Sequence, residues 1–307
     1  MPAPQATEDF YRTLQRLKVV LVLAGRRAWS QMGADFDASW QAIAPGLLTV
    51  TSAAQLAAAT AATVYVPAVL DETGQTDAPD AAVRPQVFAG VAEDGRTLAG
   101  LLTGATRYAK AAVGQGAGVD EALALGGRWL DGTLSTAVSD AGRDAAFLEV
   151  ATRPHMGWVR QVNPPCCSRC AVLAGKWYSH SDVLPRHPRC DCTLIPSAEN
   201  VAGDFTTDPA ELHRRGLITD LSADQRKRID DGADPIKVLN EGRDRWRVRL
   251  AQERKRAKEA AKRLQAPTGW GAGTPHPLPP GGIQDFLNHL TDRVKAIDEL
   301  KAHGVLT

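Results

Sequence analysis

The chain has 307 residues, a formal net charge of +1, and 44% hydrophobic against 23% charged residues. That length allows one large or two modest domains with a buried core, and the near-neutral balance excludes a chain that is basic throughout, the usual mark of a general nucleic-acid binder. Aromatic residues are only 6% while alanine is abundant, a composition that favours helices.

Residues 7–44 read as a helix. Phe10, Leu14, Leu17, Leu21 and Ala28 recur at three- and four-residue steps and form one apolar face. Phe36, Trp40 and Ile43 repeat the step after a break at Gly33, and Pro45-Gly46 is the expected stop. The apolar run at 17–25 has the look of a signal-peptide core. Glu8 and Asp9 precede it, Arg26-Arg27 follow it, and it is too short to span a bilayer. The expectation is a cytoplasmic protein with no membrane partner.

Ser52 with Gln55 has the spacing of a capping box and predicts a second helix over 52–65. The aromatic stripes of this region are read as core packing. Residues 71–85 form an acidic, proline-containing loop, and helices are predicted across 86–114 and 119–150. The run Gly114-Gln115-Gly116-Ala117-Gly118 lacks the lysine and Ser/Thr of a phosphate loop and follows no strand, so it reads as a turn. Gly126-Gly127-Arg128-Trp129 reads as a helix break with a packing tryptophan.

All five cysteines lie in residues 157–196, at Cys166, Cys167, Cys170, Cys190 and Cys192, with His187 three positions before Cys190. Cys167-x₂-Cys170 is the tight spacing that brings two thiolates to one zinc ion. His187-Pro188-Arg189-Cys190-Asp191-Cys192 offers three more donors in six residues. The predicted ligands are therefore Cys167 and Cys170, completed by two of His187, Cys190 and Cys192, with Cys166 as a spare. Three rival roles for these cysteines are a disulfide framework, a thiol nucleophile and plain buried packing. A disulfide framework suits an exported chain with an even cysteine count. A shell of thiolates and histidine with no open position is structural, so the expected cofactor is one structural Zn²⁺. Short strands are predicted at 157–162, 176–178 and 193–195, the last ending at Pro196, with a short helix from Cys170 stopped by Gly175.

Beyond the cysteines, Asp208-Pro209 opens a helix that Gly216 ends. Ser222-Ala223-Asp224-Gln225 is a second capping-box pattern, and Asp234-Pro235 starts another helix. Residues 243–263 hold ten Lys/Arg and three Asp/Glu, a local +7 that leaves the remainder of the chain at −6. This segment reads as a helix, either a solvated face or a non-specific contact with DNA or an acidic partner. Residues 266–282 are a Pro/Gly linker. An amphipathic helix follows from 283 to 300, with Phe286, Leu287, Leu290, Val294 and Ile297 on one face, and reads either as a docking peptide for a partner or as a helix packed within the chain.

The pattern Cys167-x₂-Cys170, Ala171-Val172-Leu173-Ala174-Gly175 and His187-Pro188-x-Cys190-x-Cys192 resembles the phage Mu F-like head morphogenesis family, the minor capsid proteins of tailed bacteriophages. It is most similar to the form found in phages of actinobacteria, where a long helical part precedes the motif. Leu221-Ser222-x₂-Gln225-Arg226 and Asp231-Gly232-Ala233-Asp234-Pro235 resemble that form more loosely. Cys166 is an extra cysteine, and Asp191 stands where the family often has a basic residue. The resemblance implies a virion assembly role, with portal, major capsid or scaffold proteins as partners, in the host cytoplasm during assembly and then in the virion, at the capsid interior or portal vertex.

An enzymatic reading is a capsid maturation protease, with Ser168, Ser179, Ser181, His155 and His180 as the nearby nucleophile and base candidates. No pair of them has a signature spacing. A zinc-stabilised nuclease would use His187 with Asp182 and Asp191. The fold class expected is mainly α: an N-terminal helical domain (1–150), a small zinc-knuckle β/α element (151–200), a helical region ending in a basic helix (201–265), the linker (266–282) and a C-terminal helix (283–307).

Overall fold

The computed structural model describes residues 3–179, 182, 192–205, 207–241, 283, 286–287 and 292–307. It is mainly helical, as the composition predicts, with a three-stranded sheet in the middle of the chain. The basic segment 243–263 and the linker 266–282 lie outside the described residues.

Three long helices carry the main core: α1 (Gln5–Trp29), α2 (Phe36–Glu72) and α5 (Val119–Ala151). The apolar face read along the first helix is the buried one, with Phe10, Leu14 and Leu21 in the core and Leu17 and Ala28 packed against it. Helices α1 and α2 run antiparallel. Trp29 meets Trp40 edge-on at 6.3 Å near the connecting turn, and Phe10 stacks on Tyr65 at 4.4 Å toward the far end. At that end the Glu72 carboxylate accepts the amides of Gln5 and Ala6. These are among the donors that a helix start leaves without partners, and the helix dipole favours an anion there.

The structure differs from the expected boundary at Pro45-Gly46. Helix α2 runs through Pro45 and again through Pro67 for 37 residues. Its start is capped by Asp35, which accepts from the Ala38 amide at 3.0 Å. Ile43 and Leu47, on either side of the proline, are both buried. Tertiary burial outweighs the local cost of one proline here. By length and composition alone α2 matches a membrane span, yet thirteen of its residues are buried within the protein.

The expected break at Gly126-Gly127 is also absent, for α5 is continuous through both. A Cβ at Gly126 would stand 2.6 Å from Cζ2 of Trp29 and 2.9 Å from the Ala105 carbonyl oxygen. Trp29 donates its indole N–H to the Leu123 carbonyl at 2.9 Å. The glycine is thus the gap through which α1, α5 and α4 (Gly104–Gly114) approach one another. Short α3 (Leu98–Leu102) precedes α4, and Gly116, at φ +96°, makes the turn that the glycine run predicts.

The second half of α5 is the spine of the molecule. Residues 137–151 are all buried except half-buried Arg143. Strand β1 (Met156–Gln161) follows directly and lies between β2 (Trp177–Ser179) and β3 (Thr193–Ala198), antiparallel to both. Trp158, opposite Tyr178 and Pro196, is fully buried and stacks on Phe147 at 5.4 Å. Pro196 does not end β3, because an edge strand tolerates a residue without an amide proton.

A second, smaller core lies under the cysteine region. It joins Val162, Cys166, Cys170, Val172 and Cys192 to Leu212, Ile218, Ile229 and Val238. The latter come from the region of α7 (Pro209–Arg214), α8 (Ala223–Asp230) and α9 (Pro235–Asn240). Each of these helices starts as predicted. Asp208 and Asp234 cap α7 and α9, and Ser222 with Gln225 forms both halves of a capping box on α8.

The last helix, α10 (Arg293–Ala302), packs within the chain, the second of the two readings of this segment. Ile283, Leu287, Ile297, Leu300, Val305 and Leu306 are buried in the chain's own main core. Val294, placed on the same apolar face by the pattern, is 61% exposed, and Leu290 lies outside the described residues.

Candidate metal centre

The cysteine turn is fixed by backbone before any metal is considered. The Cys166 amide donates to the Leu217 carbonyl at 2.8 Å, and its carbonyl accepts the Thr219 amide at 2.9 Å. This clamps Cys166 beside Ile218 like a short parallel strand. Its side chain is buried, and burial, aided by the neighbouring Cys167 and Asp220, pushes the thiol up to about 11.

Cys167 is the residue before α6 (Ser168–Leu173), extended at φ −85° and ψ 159°. It is half-buried, and its carbonyl accepts the Ala171 amide at 3.0 Å. Asp220 holds the start of α6, accepting from the Ser168 amide at 2.6 Å and from its hydroxyl at 3.0 Å. Cys170, one turn on, points into the small core and is 4% exposed. Gly175, at φ +69°, ends this element as predicted and leads the chain into β2.

Cys192 stands immediately before β3, buried at 6% exposure. Its carbonyl accepts Nη2 of Arg143 at 3.4 Å, and its neighbour Thr193 accepts from the Asn163 amide group at 2.9 Å. Cys166, Cys170 and Cys192 share the small core, and Cys167 packs against it. No disulfide joins these four to one another. His187 and Cys190, also predicted as ligands, lie outside the described residues. Among the described residues no three histidine, cysteine or carboxylate side chains converge as a metal site. What the described residues show is four cysteines gathered in or against one small core.

Next to Cys192 is a polar group that no sequence motif announces. Asp140, Arg143 and Asp144 sit at i, i+3 and i+4 on α5, with Nη1 of Arg143 at 3.8 Å from Asp140. Burial pushes the Asp144 carboxyl well above its ordinary value; the Asp140 charge adds to this and Arg143 opposes it. Arg143 also lines a small cleft with Phe10, Leu14, Tyr65, Cys192 and Leu194. The Tyr65 hydroxyl donates to the Leu194 carbonyl, and burial raises its phenol as well. The only signal of this group in the sequence is an unusual density of charge in an alanine-rich helix.

The residues considered for catalysis are engaged separately. The Ser168 hydroxyl is bonded to Asp220. His155 is exposed and lies 3.3 Å from Asp77. The Ser179 amide donates to Asp182 at 2.7 Å. His180, Ser181 and Asp191 lie outside the described residues.

Comparison with protein-family models, with curated proteins and with solved structures finds no match to this chain.

Proposed function

We propose that the chain is a minor capsid, head-morphogenesis protein of a tailed phage, built around one structural zinc ion, and that it works in head assembly beside the portal. The observation that carries this reading is the cysteine run: C-x₂-C at the start of α6, followed by H-P-x-C-x-C leading into β3. The donors fit zinc in kind. The four described cysteines are unjoined by disulfides among themselves and lie in or against a small core of thirteen buried residues, too few to be stable alone. Cys167, Cys170 and Cys192 would hold the ion, with His187 or Cys190 completing the shell. Bound there, zinc ties the start of α6 to the start of β3 and contributes folding free energy. The bundle of α1, α2 and α5 then serves as a rigid body to carry that module among portal, major capsid or scaffold proteins. A non-specific DNA contact belongs to residues 243–263, which lie outside the described residues.

The test has two arms. Metal analysis of purified protein is expected to give one zinc per chain, lost in Cys167→Ala and Cys170→Ala and retained in Cys166→Ser. Co-expression with the portal and major capsid proteins is expected to carry the chain into assembled heads. Protein free of zinc, or zinc unaffected by the Cys167 and Cys170 variants, sinks the metal reading. Heads that assemble without the chain sink the assembly reading.

A further inference from the structure

The turn that opens α6 sets two of the described cysteines apart from the others. Cys167 is half-buried, whereas Cys166, Cys170 and Cys192 are 7%, 4% and 6% exposed. The Cys167 carbonyl accepts the Ala171 amide at 3.0 Å, so Cys167 is the last residue before the helix and Cys170 lies one turn along it. A helix rising about 1.5 Å per residue on a radius of about 2.3 Å puts the Cα atoms of such a pair about 5 Å apart. A disulfide spans Cα separations of about 4.4–6.8 Å. The pair can therefore be joined without unwinding α6, and no disulfide joins it in this structure.

The neighbouring cysteines are placed otherwise. Cys166 has its amide bonded to Leu217 and its carbonyl to Thr219, and its side chain lies in the small core with Cys192. Thiol–disulfide exchange needs an attacking sulfur that solvent can reach and, for an intramolecular product, a second thiol close by. Cys167 supplies the first and Cys170, shielded from solvent, the second. Asp220 preserves this arrangement, because it holds the Ser168 amide at 2.6 Å and the Ser168 hydroxyl at 3.0 Å and so fixes the start of α6.

We propose that Cys167 and Cys170 form a thiol–disulfide switch whose co-reactant is a small disulfide of the glutathione type. The Cys167 thiolate attacks one sulfur of glutathione disulfide, whose S–S bond breaks and releases one glutathione thiolate. The Cys170 thiolate then attacks the Cys167 sulfur of the mixed disulfide, forms the Cys167–Cys170 bond and releases the second glutathione. The two protons given up by the cysteines end on the two glutathione thiols. The chain is oxidised by two electrons and glutathione disulfide is reduced by two. The exchange itself needs no metal. Its consequence rests on the zinc reading: the same two sulfurs serve either the ion or the disulfide, so oxidation withdraws two of the ligands and frees the ion.

The experiment treats the full purified chain with glutathione disulfide, with and without a zinc chelator, and reads intact mass, peptide maps and zinc release together. With the chelator, the mass is expected to fall by the two thiol hydrogens, the map to link Cys167 to Cys170, and dithiothreitol to reverse both. Cys170→Ser is expected to stop at a mixed disulfide with glutathione on Cys167. Cys167→Ser should react about tenfold more slowly or less, and Cys166→Ser like the parent. Without the chelator, zinc should leave in step with the disulfide. A link between any other pair of cysteines, or glutathione settling elsewhere than on Cys167 in the Cys170→Ser chain, overturns the proposal. Zinc that binds and is stripped while no disulfide forms overturns the switch and leaves the metal reading standing. A Cys167–Cys170 disulfide in a chain that never holds zinc does the reverse.

Discussion

Cys166 and Cys167 are neighbours with different environments, and the difference is set by backbone. Cys166 is clamped by Leu217 and Thr219 and its thiol is pushed up by burial, whereas Cys167 starts a helix. A similar close fit constrains Gly157. A Cβ there would lie 2.3 Å from the Tyr178 carbonyl oxygen and 2.5 Å from Cζ2 of Trp177. Backbone cannot move aside as a side chain does, so Gly157→Ala is expected to cost about 1–3 kcal/mol, read as a lower urea midpoint at unchanged slope. Asp144 yields a pH prediction. Its folded carboxyl is raised by burial above an unfolded value near 4, so its contribution is complete below about pH 4 and declines as pH rises toward the folded value. Asp144→Asn removes that decline. Relative to the parent, the Tm of the variant should rise as pH climbs from about 4 toward the folded value. A difference that is flat with pH would contradict this assignment.

Among the elements, α2 shows best what is legible in the sequence and what is not. Its apolar positions Phe36, Trp40 and Ile43 are readable from periodicity, and all three are buried. Its length is not readable, because Pro45-Gly46 is a strong local stop signal that long-range packing overrides. Ser52 and Gln55 have the spacing of a helix start, yet Gln55 is buried in mid-helix. Its side chain donates to the Val91 carbonyl at 2.6 Å and accepts the Gly90 amide at 2.9 Å. Gln55→Ala leaves both backbone groups without their partner and is expected to cost about 1–3 kcal/mol, with Gln55→Glu restoring only the acceptor half. Thermal melts of the three proteins rank them. By contrast, the starts of α7, α8 and α9 are fully readable, since Asp-Pro and Ser-x-x-Gln act within one turn and need no distant partner. The metal candidates sit between these cases. Cys167 and Cys170 announce themselves by spacing, while the polar group at Asp140, Arg143 and Asp144 becomes visible only once α5 is seen to be buried on nearly every side.

At the scale of the molecule, the two cores divide the labour. The large one holds α1, α2, α5 and the sheet, and the small one joins Cys166, Cys170 and Cys192 to the buried residues of α7, α8 and α9 and the turns between them. If zinc stabilises the small core, chelation should act unequally. Hydrogen exchange after treatment with a chelator is expected to rise by a hundredfold or more at Val172, Ile218 and Val238, which corresponds to about 3 kcal/mol, while Leu134, Leu148 and Tyr65 stay protected. Equal loss in both cores would mean that they unfold as one unit.

The pairing of residues 82–84 with residues 305–307 also has a history during synthesis. Some 220 positions separate the two strands, on the order of 10–45 s at ribosomal speed. For that interval Ala82, Val83 and Arg84 leave the ribosome as an edge with nothing to bind, beside a hydrophobic hollow that Leu300 and Leu306 have yet to fill. Such an edge is a template for the wrong neighbour. On a polysome, that neighbour is another nascent copy of the same chain.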